Sequence, residues 1–275
     1  MDKRTGFLLL LLPALLAVKG INAQSGAADS IRHLLQTGKE DSLKVFRYYY
    51  YGELFEQTQP DSADYYFRKG LELAKKINYQ KGIFSYTSYA IVLLNNKGKY
   101  LEGLALTQES VEQAKQSGNS RDLTIAYINV ANEWQYLGDL ESAAAFYLKG
   151  AEQAAGFPEK KFERVALNNL ASVFIELKDW DKVIAYSSRA LHIARQMKDD
   201  YSIASCLINL AVGQTNKSQF EEAIGMYNQV YTIGQQTEDY ILRLDGLNGL
   251  GEVSVARKDF RTSIRYFHQT QKLAE

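Results

Sequence analysis

Apolar residues recur along this chain at spacings of three and four, and the pattern itself repeats every forty residues. Val165, Leu167, Leu170, Ala171, Phe174 and Leu177 form one apolar stripe. After the break Lys178-Asp179, a second stripe runs through Trp180, Val183, Ile184, Ser187, Ala190, Leu191 and Ala194 and fades near Lys198-Asp199-Asp200. This spacing is that of one face of an α-helix, so each segment predicts two helices joined by a tight turn. The same hairpin is expected at 83–97 with 100–116, 123–137 with 140–155, 203–216 with 220–236, and 242–256 with 260–274. Pro60, Tyr100, Leu140, Trp180, Phe220 and Phe260 share one register, and Ala74, Ala114, Ala154, Ala194, Gly234 and Ala274 share another. A fixed period of this length means units that cannot bury their apolar faces alone and stack into a common core. The fold class that follows is all-α, an α-solenoid of stacked antiparallel helix pairs. Its array occupies 42–275, with repeats near 42–79, 80–119, 120–159, 160–199, 200–239 and 240–275, and a short helical lead-in at 24–41.

Residue size along the second helices supports close packing. Ala63, Gly103, Ala143, Val183, Ala223 and Ser263 recur early, and Gly70, Ser110, Gly150, Ala190, Val230 and Thr270 recur seven residues later. Helix axes approach to about 8 Å only over small side chains. Phe67, Tyr147, Tyr227 and Phe267 are expected to fill the hollows between them. Gly98-Lys99 and Gly138-Asp139 place glycine where a helix ends in a left-handed residue. Gly118-Asn119 and Gly156-Phe157-Pro158 separate one unit from the next. Lys178, Ser218 and Lys258 take the glycine position in later units, so those turns are expected to be strained or closed differently.

The first residues form a separate segment. Lys3 and Arg4 precede the apolar run 7–18, which is short for a membrane-spanning helix of about 20 residues. Ile21-Asn22-Ala23 then offers a small-residue cleavage site before Gln24. Residues 1–23 read as a secretory signal peptide, so the chain is expected to be exported to a periplasm or cell envelope. The formal charge is zero, and loss of Lys3, Arg4 and Lys19 together with Asp2 leaves −2. That balance provides no field for nucleic acid or anionic lipid. The single cysteine, Cys206, excludes an internal disulfide and falls where Tyr86, Ala126 and Ala166 stand, as a small core residue.

The units resemble tetratricopeptide repeats lengthened to forty residues. The pairs Val130-Ala131, Leu170-Ala171, Leu210-Ala211 and Leu250-Gly251 match the family's leucine and small residue in the first helix. Ala143, Tyr147 and Gly150 match the second, and Ala223 with Tyr227 matches it with Val230 departing. The usual proline closing each repeat is missing, and the first unit is weakest, with Tyr50-Tyr51 at the leucine and small positions. The segments Asp29-Ser30-Ile31-Arg32-His33-Leu34-Leu35, 39–45 and 74–82, after an export signal, also resemble the outer sensory region of Bacteroidetes-type signalling proteins. In those, the resemblance implies, a membrane-spanning helix and a histidine kinase or helix-turn-helix output follow the array. Any membrane contact or kinase would therefore lie beyond Glu275. The last apolar face lacks a polar closing helix, which suggests a missing continuation, a partner or a homodimer.

The resemblance also implies a groove lined by the first helix of each unit. Asn129, Asn169 and Asn209 stand one residue before the leucine position, with Asn248 one place out of step and Tyr49 and Tyr89 replacing them earlier. An amide both donates and accepts. Such a row holds an extended peptide backbone, or it ties neighbouring helices together; both uses need the same residue. Tyr48, Asn132, Tyr136, Asn168 and Ser172 join the candidate groove. Of the run 48–51, Tyr48 and Tyr49 are expected to face the groove and Tyr50 and Tyr51 to pack, with packing of all four as the competing reading. The basic pairs that grip a terminal carboxylate in chaperone-binding relatives are absent at these places. His33, His192 and His268 are scattered, and there is no Cys-x-x-Cys, so neither a metal site nor a cofactor is expected. The expectation is a non-catalytic array that binds a protein or extended peptide. It serves either as the input region of a signalling protein or as a free periplasmic scaffold or assembly factor.

Overall fold

The computed structural model describes residues 21–274, with side chains from residue 29 onward. Residues 1–20 of the expected leader lie outside the described residues. Among the described residues there are thirteen α-helices and no strand, an all-α helical solenoid repeat fold. The chain divides into two compact units, Met1–Leu137 and Gly138–Glu275.

The first unit contains α1 (Ile21–Thr37), α2 (Ser42–Glu53), α3 (Pro60–Lys76), α4 (Gln80–Asn96), α5 (Tyr100–Ser117) and α6 (Ser120–Leu137). The second contains α7 (Leu140–Ala155), α8 (Lys161–Glu176), α9 (Trp180–Met197), α10 (Asp200–Asn216), α11 (Phe220–Gln236), α12 (Tyr240–Ala256) and α13 (Phe260–Ala274). Within each unit every helix packs on the next, and first helices also meet across repeats, α2 with α4 and α8 with α10 with α12.

The residues on the 60-to-260 register are the first residues of α3, α5, α7, α9, α11 and α13. First helices start about three residues before their apolar stripes. Their opening turns are polar because a cap is polar: Asp199 accepts from the Ser202 amide at 3.2 Å and Asp239 from the Leu242 amide at 3.0 Å. Hydrophobic periodicity cannot register such a turn.

Small residues do line the contacts. Ala63, Ala143, Val183 and Ala223 are fully buried, and Phe67 and Tyr147 fill the adjacent hollows without exposure. Phe267 departs from that expectation: its ring meets Gly251 but remains 40 % exposed. On α13 only Ser263 is buried, while Phe260 and Ile264 are exposed, because within this unit α13 packs only on α12.

The turns close alike whether or not glycine is present. Gly98 and Gly138 have φ of 69° and 83°, and Lys178, Ser218 and Lys258 adopt 59°, 61° and 66°. The non-glycine turns are therefore strained and not differently closed. An L residue there costs roughly 1–2 kcal/mol, which tertiary packing on both sides overrides. The register also recurs in ion pairs between the start of a second helix and the end of the next first helix: Lys97–Asp61 (3.3 Å), Lys217–Asp181 (2.8 Å) and Arg257–Glu221 (2.7 Å). Exposed pairs of this kind contribute about 0–1 kcal/mol. A fully buried leucine or phenylalanine contributes about 1.5–3 kcal/mol, so the apolar seam dominates.

Candidate peptide-binding face

In the first unit the run of four tyrosines is rotated from its expected register. Tyr49 is fully buried, donates from its hydroxyl to the Gly82 carbonyl at 2.8 Å, and packs against Tyr89 at 4.8 Å between centroids. Tyr51 is buried and Tyr50 is 44 % exposed. Gly52 faces the Phe67 ring so closely that an added Cβ would lie 2.4 Å from it, as Gly251 faces Phe267. The leucine and small positions of this unit are thus Tyr51 and Gly52, one residue later than the forty-residue step indicates. The cause lies in the connection 54–59: from Gly52 to Pro60 the chain advances eight residues, one fewer than the nine from Gly251 to Phe260. One residue is about 100° of helix rotation, so Tyr49 goes to the core and Tyr50 to the surface. Tyr48 lines an open cleft of about 340 Å³ between α2 and α3 with Lys44, Tyr65 and Lys69.

Tyr89 is half-buried between Tyr49 and Phe67, and burial pushes its phenol well above the usual range. Asn129 is buried and donates to the Ser88 hydroxyl at 3.3 Å. Asn132 is also buried, and Tyr136 stacks flat on Tyr100 at 5.2 Å.

In the second unit Asn168 donates to the Ser205 hydroxyl at 3.1 Å. Asn209 donates to both the backbone carbonyl (3.1 Å) and Oδ1 (3.2 Å) of Asn168. The expected residues Asn168 and Asn209 are therefore brought together across α8 and α10, and these bonds stitch the two first helices. Asn169 is buried and its Nδ2 has no partner. Ser172 remains partly exposed on the same helix.

Two residues of interest escaped the periodic reading. Glu133 is fully buried on α6, where its Oε1 accepts from Asn95 Nδ2 at 2.9 Å and its Oε2 has no partner. It occupies the space left by Gly103, where any Cβ would come within 2.5 Å of Oε2. Burial pushes its carboxyl from 4.5 to about 7. Arg164 on α8 is only 4 % exposed, its Nε has no partner, and no ion pair is formed by it among the described residues. It lies against Cys206, whose thiol burial pushes up to about 11 while Arg164 pulls it down. Both break an otherwise apolar or small register, 93-133-173-213-253 and 84-124-164-204-244, and that break is the signal that could have found them.

The geometry defines a class: an all-α helical-repeat protein whose first helices present polar side chains side by side. Residues 162–236 match the tetratricopeptide repeat family model. No curated protein sequence matches the chain. The fold is similar to BtubC (BKLC) from P. vanneervenii, with 21% identity, TM-score 0.67, and coverage of 76% of this chain and 88% of that one. It is also similar to a signal transduction ATPase with numerous domains that carries a tetratricopeptide repeat sensor, from Pyrococcus horikoshii. That likeness has 20% identity, TM-score 0.70, and coverage of 91% of this chain and 40% of the other. A Rap protein complexed with Competence and Sporulation Factor matches over 91% of this chain and 79% of its own, with 12% identity and TM-score 0.67. At these identities the likeness is one of fold.

Proposed function

We propose that this chain is a non-catalytic scaffold that binds a protein or extended peptide along its first-helix face, as the exported sensory input region of a signal-transduction protein. The observation that carries the reading is the amide and hydroxyl row, Asn168, Ser205 and Asn209, aligned across neighbouring first helices. Such a row lies parallel to an extended backbone and reads no particular sequence. The Rap complex and the repeat sensor of the archaeal ATPase support the binding and sensory parts of the reading by analogy of fold. The leader sequence 1–23 supports export, and self-association through exposed Phe260 and Ile264 of α13 belongs to the same proposal.

Photo-crosslinkers placed at Ser172 and Asn209 are expected to capture an envelope protein or peptide in vivo, while one at exposed Lys149 on α7 captures none. Equal capture at all three positions refutes a dedicated face. A periplasm-dependent phosphatase fused after residue 30 is expected to be active; an inactive fusion refutes export.

A further inference from the structure

The first helices of the second unit carry charges of both signs that form no ion pair among the described residues, Arg164 on α8 and Asp245 and Glu252 on α12. On α8, Arg164 stands one turn before Asn168 and touches Cys206, the neighbour of Ser205. Its side chain thus reaches from α8 to α10 at the residue that follows Ser205. An arginine cannot shed its charge, and a buried cation without an anion is costly. On α12, two repeats' first helices away, Asp245 and Glu252 lie seven residues apart on one helix face. Asp245 holds the register of Ser205, and Glu252 that of Ser172. Neither takes part in an ion pair among the described residues; Asp245 is half-buried and Glu252 exposed, and partial loss of hydration holds both carboxyls above their usual range. Between them, at the middle of α10, stand the neutral groups Ser205 and Asn209.

We propose that this face selects an extended peptide segment by charge register, a carboxylate docking at Arg164 and a basic side chain docking at Asp245 and Glu252. The proposal rests on the peptide-binding reading above and adds which residues the peptide must carry. Packed helices lie about 8–10 Å apart, so α8 and α12 are separated by about 16–20 Å. An extended chain advances about 3.3 Å per residue, which sets the two charges about five to six residues apart. The cost of the unpaired guanidinium is relieved only when the ligand's anion arrives, so binding energy and specificity share one residue.

The test uses the full chain and dye-labelled, end-blocked nine-residue peptides of serine, glycine and asparagine. One carries an aspartate and a lysine six positions apart; others carry either charge alone, neither, or a pair two positions apart. The six-spaced pair is expected to bind at least tenfold tighter than the uncharged peptide and to weaken as NaCl rises from about 0.05 to 0.5 M. Arg164→Met is expected to abolish the benefit of the aspartate alone, and Asp245→Asn with Glu252→Gln that of the lysine alone. Replacing the aspartate by a free C-terminal carboxylate decides whether a side chain or a chain end supplies the anion. If charged and uncharged peptides bind equally, charge selection is overturned and backbone capture stands; if none binds, the peptide-binding reading fails as well. Arg164→Met is expected to melt at or above the wild-type temperature. A large fall in Tm with the aspartate benefit unchanged makes Arg164 purely structural and overturns the proposal.

Discussion

Replacing Glu133 by glutamine is expected to stabilise the protein at pH 8 and leave it unchanged near pH 4.5. The carboxyl is fully buried, accepts one hydrogen bond from Asn95, and leaves Oε2 and Asn95 Oδ1 both without partners. Its ionisation moves from 4.5 to about 7 through burial. The folded chain therefore holds a proton that the unfolded chain releases above pH 4.5. Its contribution to stability is complete below 4.5, is lost as pH rises to about 7, and is constant beyond. A shift of this size corresponds to about 3 kcal/mol. Glutamine carries no charge, accepts from Asn95 as the acid does, and offers a donor where the protonated acid has its hydroxyl. The difference between variant and wild type is thus expected to grow from near zero at pH 4.5 to about 3 kcal/mol at pH 8. At roughly 2–4 °C per kcal/mol this is a Tm rise of about 10 °C. Circular dichroism melts across that range, with amide exchange in α5 and α6 as a local probe, measure it. Parallel pH profiles for the two proteins would refute the reasoning.

Lys178→Gly and Lys258→Gly are each expected to raise stability by about 0.5–1 kcal/mol in denaturant melts, since relief of left-handed strain exceeds the added chain entropy. Gly98→Ala, at φ 69° with open space around it, is expected to lose about 1 kcal/mol by the same measurement, reporting backbone strain alone. Gly52→Ala forces a methyl against the Phe67 ring and is expected to cost about 1–3 kcal/mol, with loss of near-ultraviolet tyrosine signal. Asn209→Ala removes two donations to Asn168 and is expected to lose about 1–2 kcal/mol, whereas Asn169→Ala, whose Nδ2 has no partner, is expected to be close to neutral. Equal losses at both asparagines would contradict the hydrogen-bond assignment.

The repeat length, the helix pairs and the small positions were legible because stacking imposes one chemical demand at the same place in every unit. Pro60, Tyr100, Leu140, Trp180, Phe220 and Phe260 begin their helices for that reason, and Ala63, Ala143 and Ala223 vanish into the core. Asn209 was legible as a first-helix polar residue, and its partner was not, because the acceptor lies on a different helix. The tyrosine run misled because a one-residue change in the connection 54–59 rotates α2, and period alone has no means of recording rotation.

The sequence by itself determined that paired helices recur, where they turn, and which residues must be small, since these follow from periodicity and side-chain volume. Only the tertiary structure decided which polar groups are left unpaired inside. Glu133, Arg164 and Asn169 are ordinary surface residue types whose cost and use arise from burial among particular neighbours. Burial is a property of the assembled layers, because the dielectric around a side chain and the reach of its hydrogen bonds are fixed by helices far away in the chain.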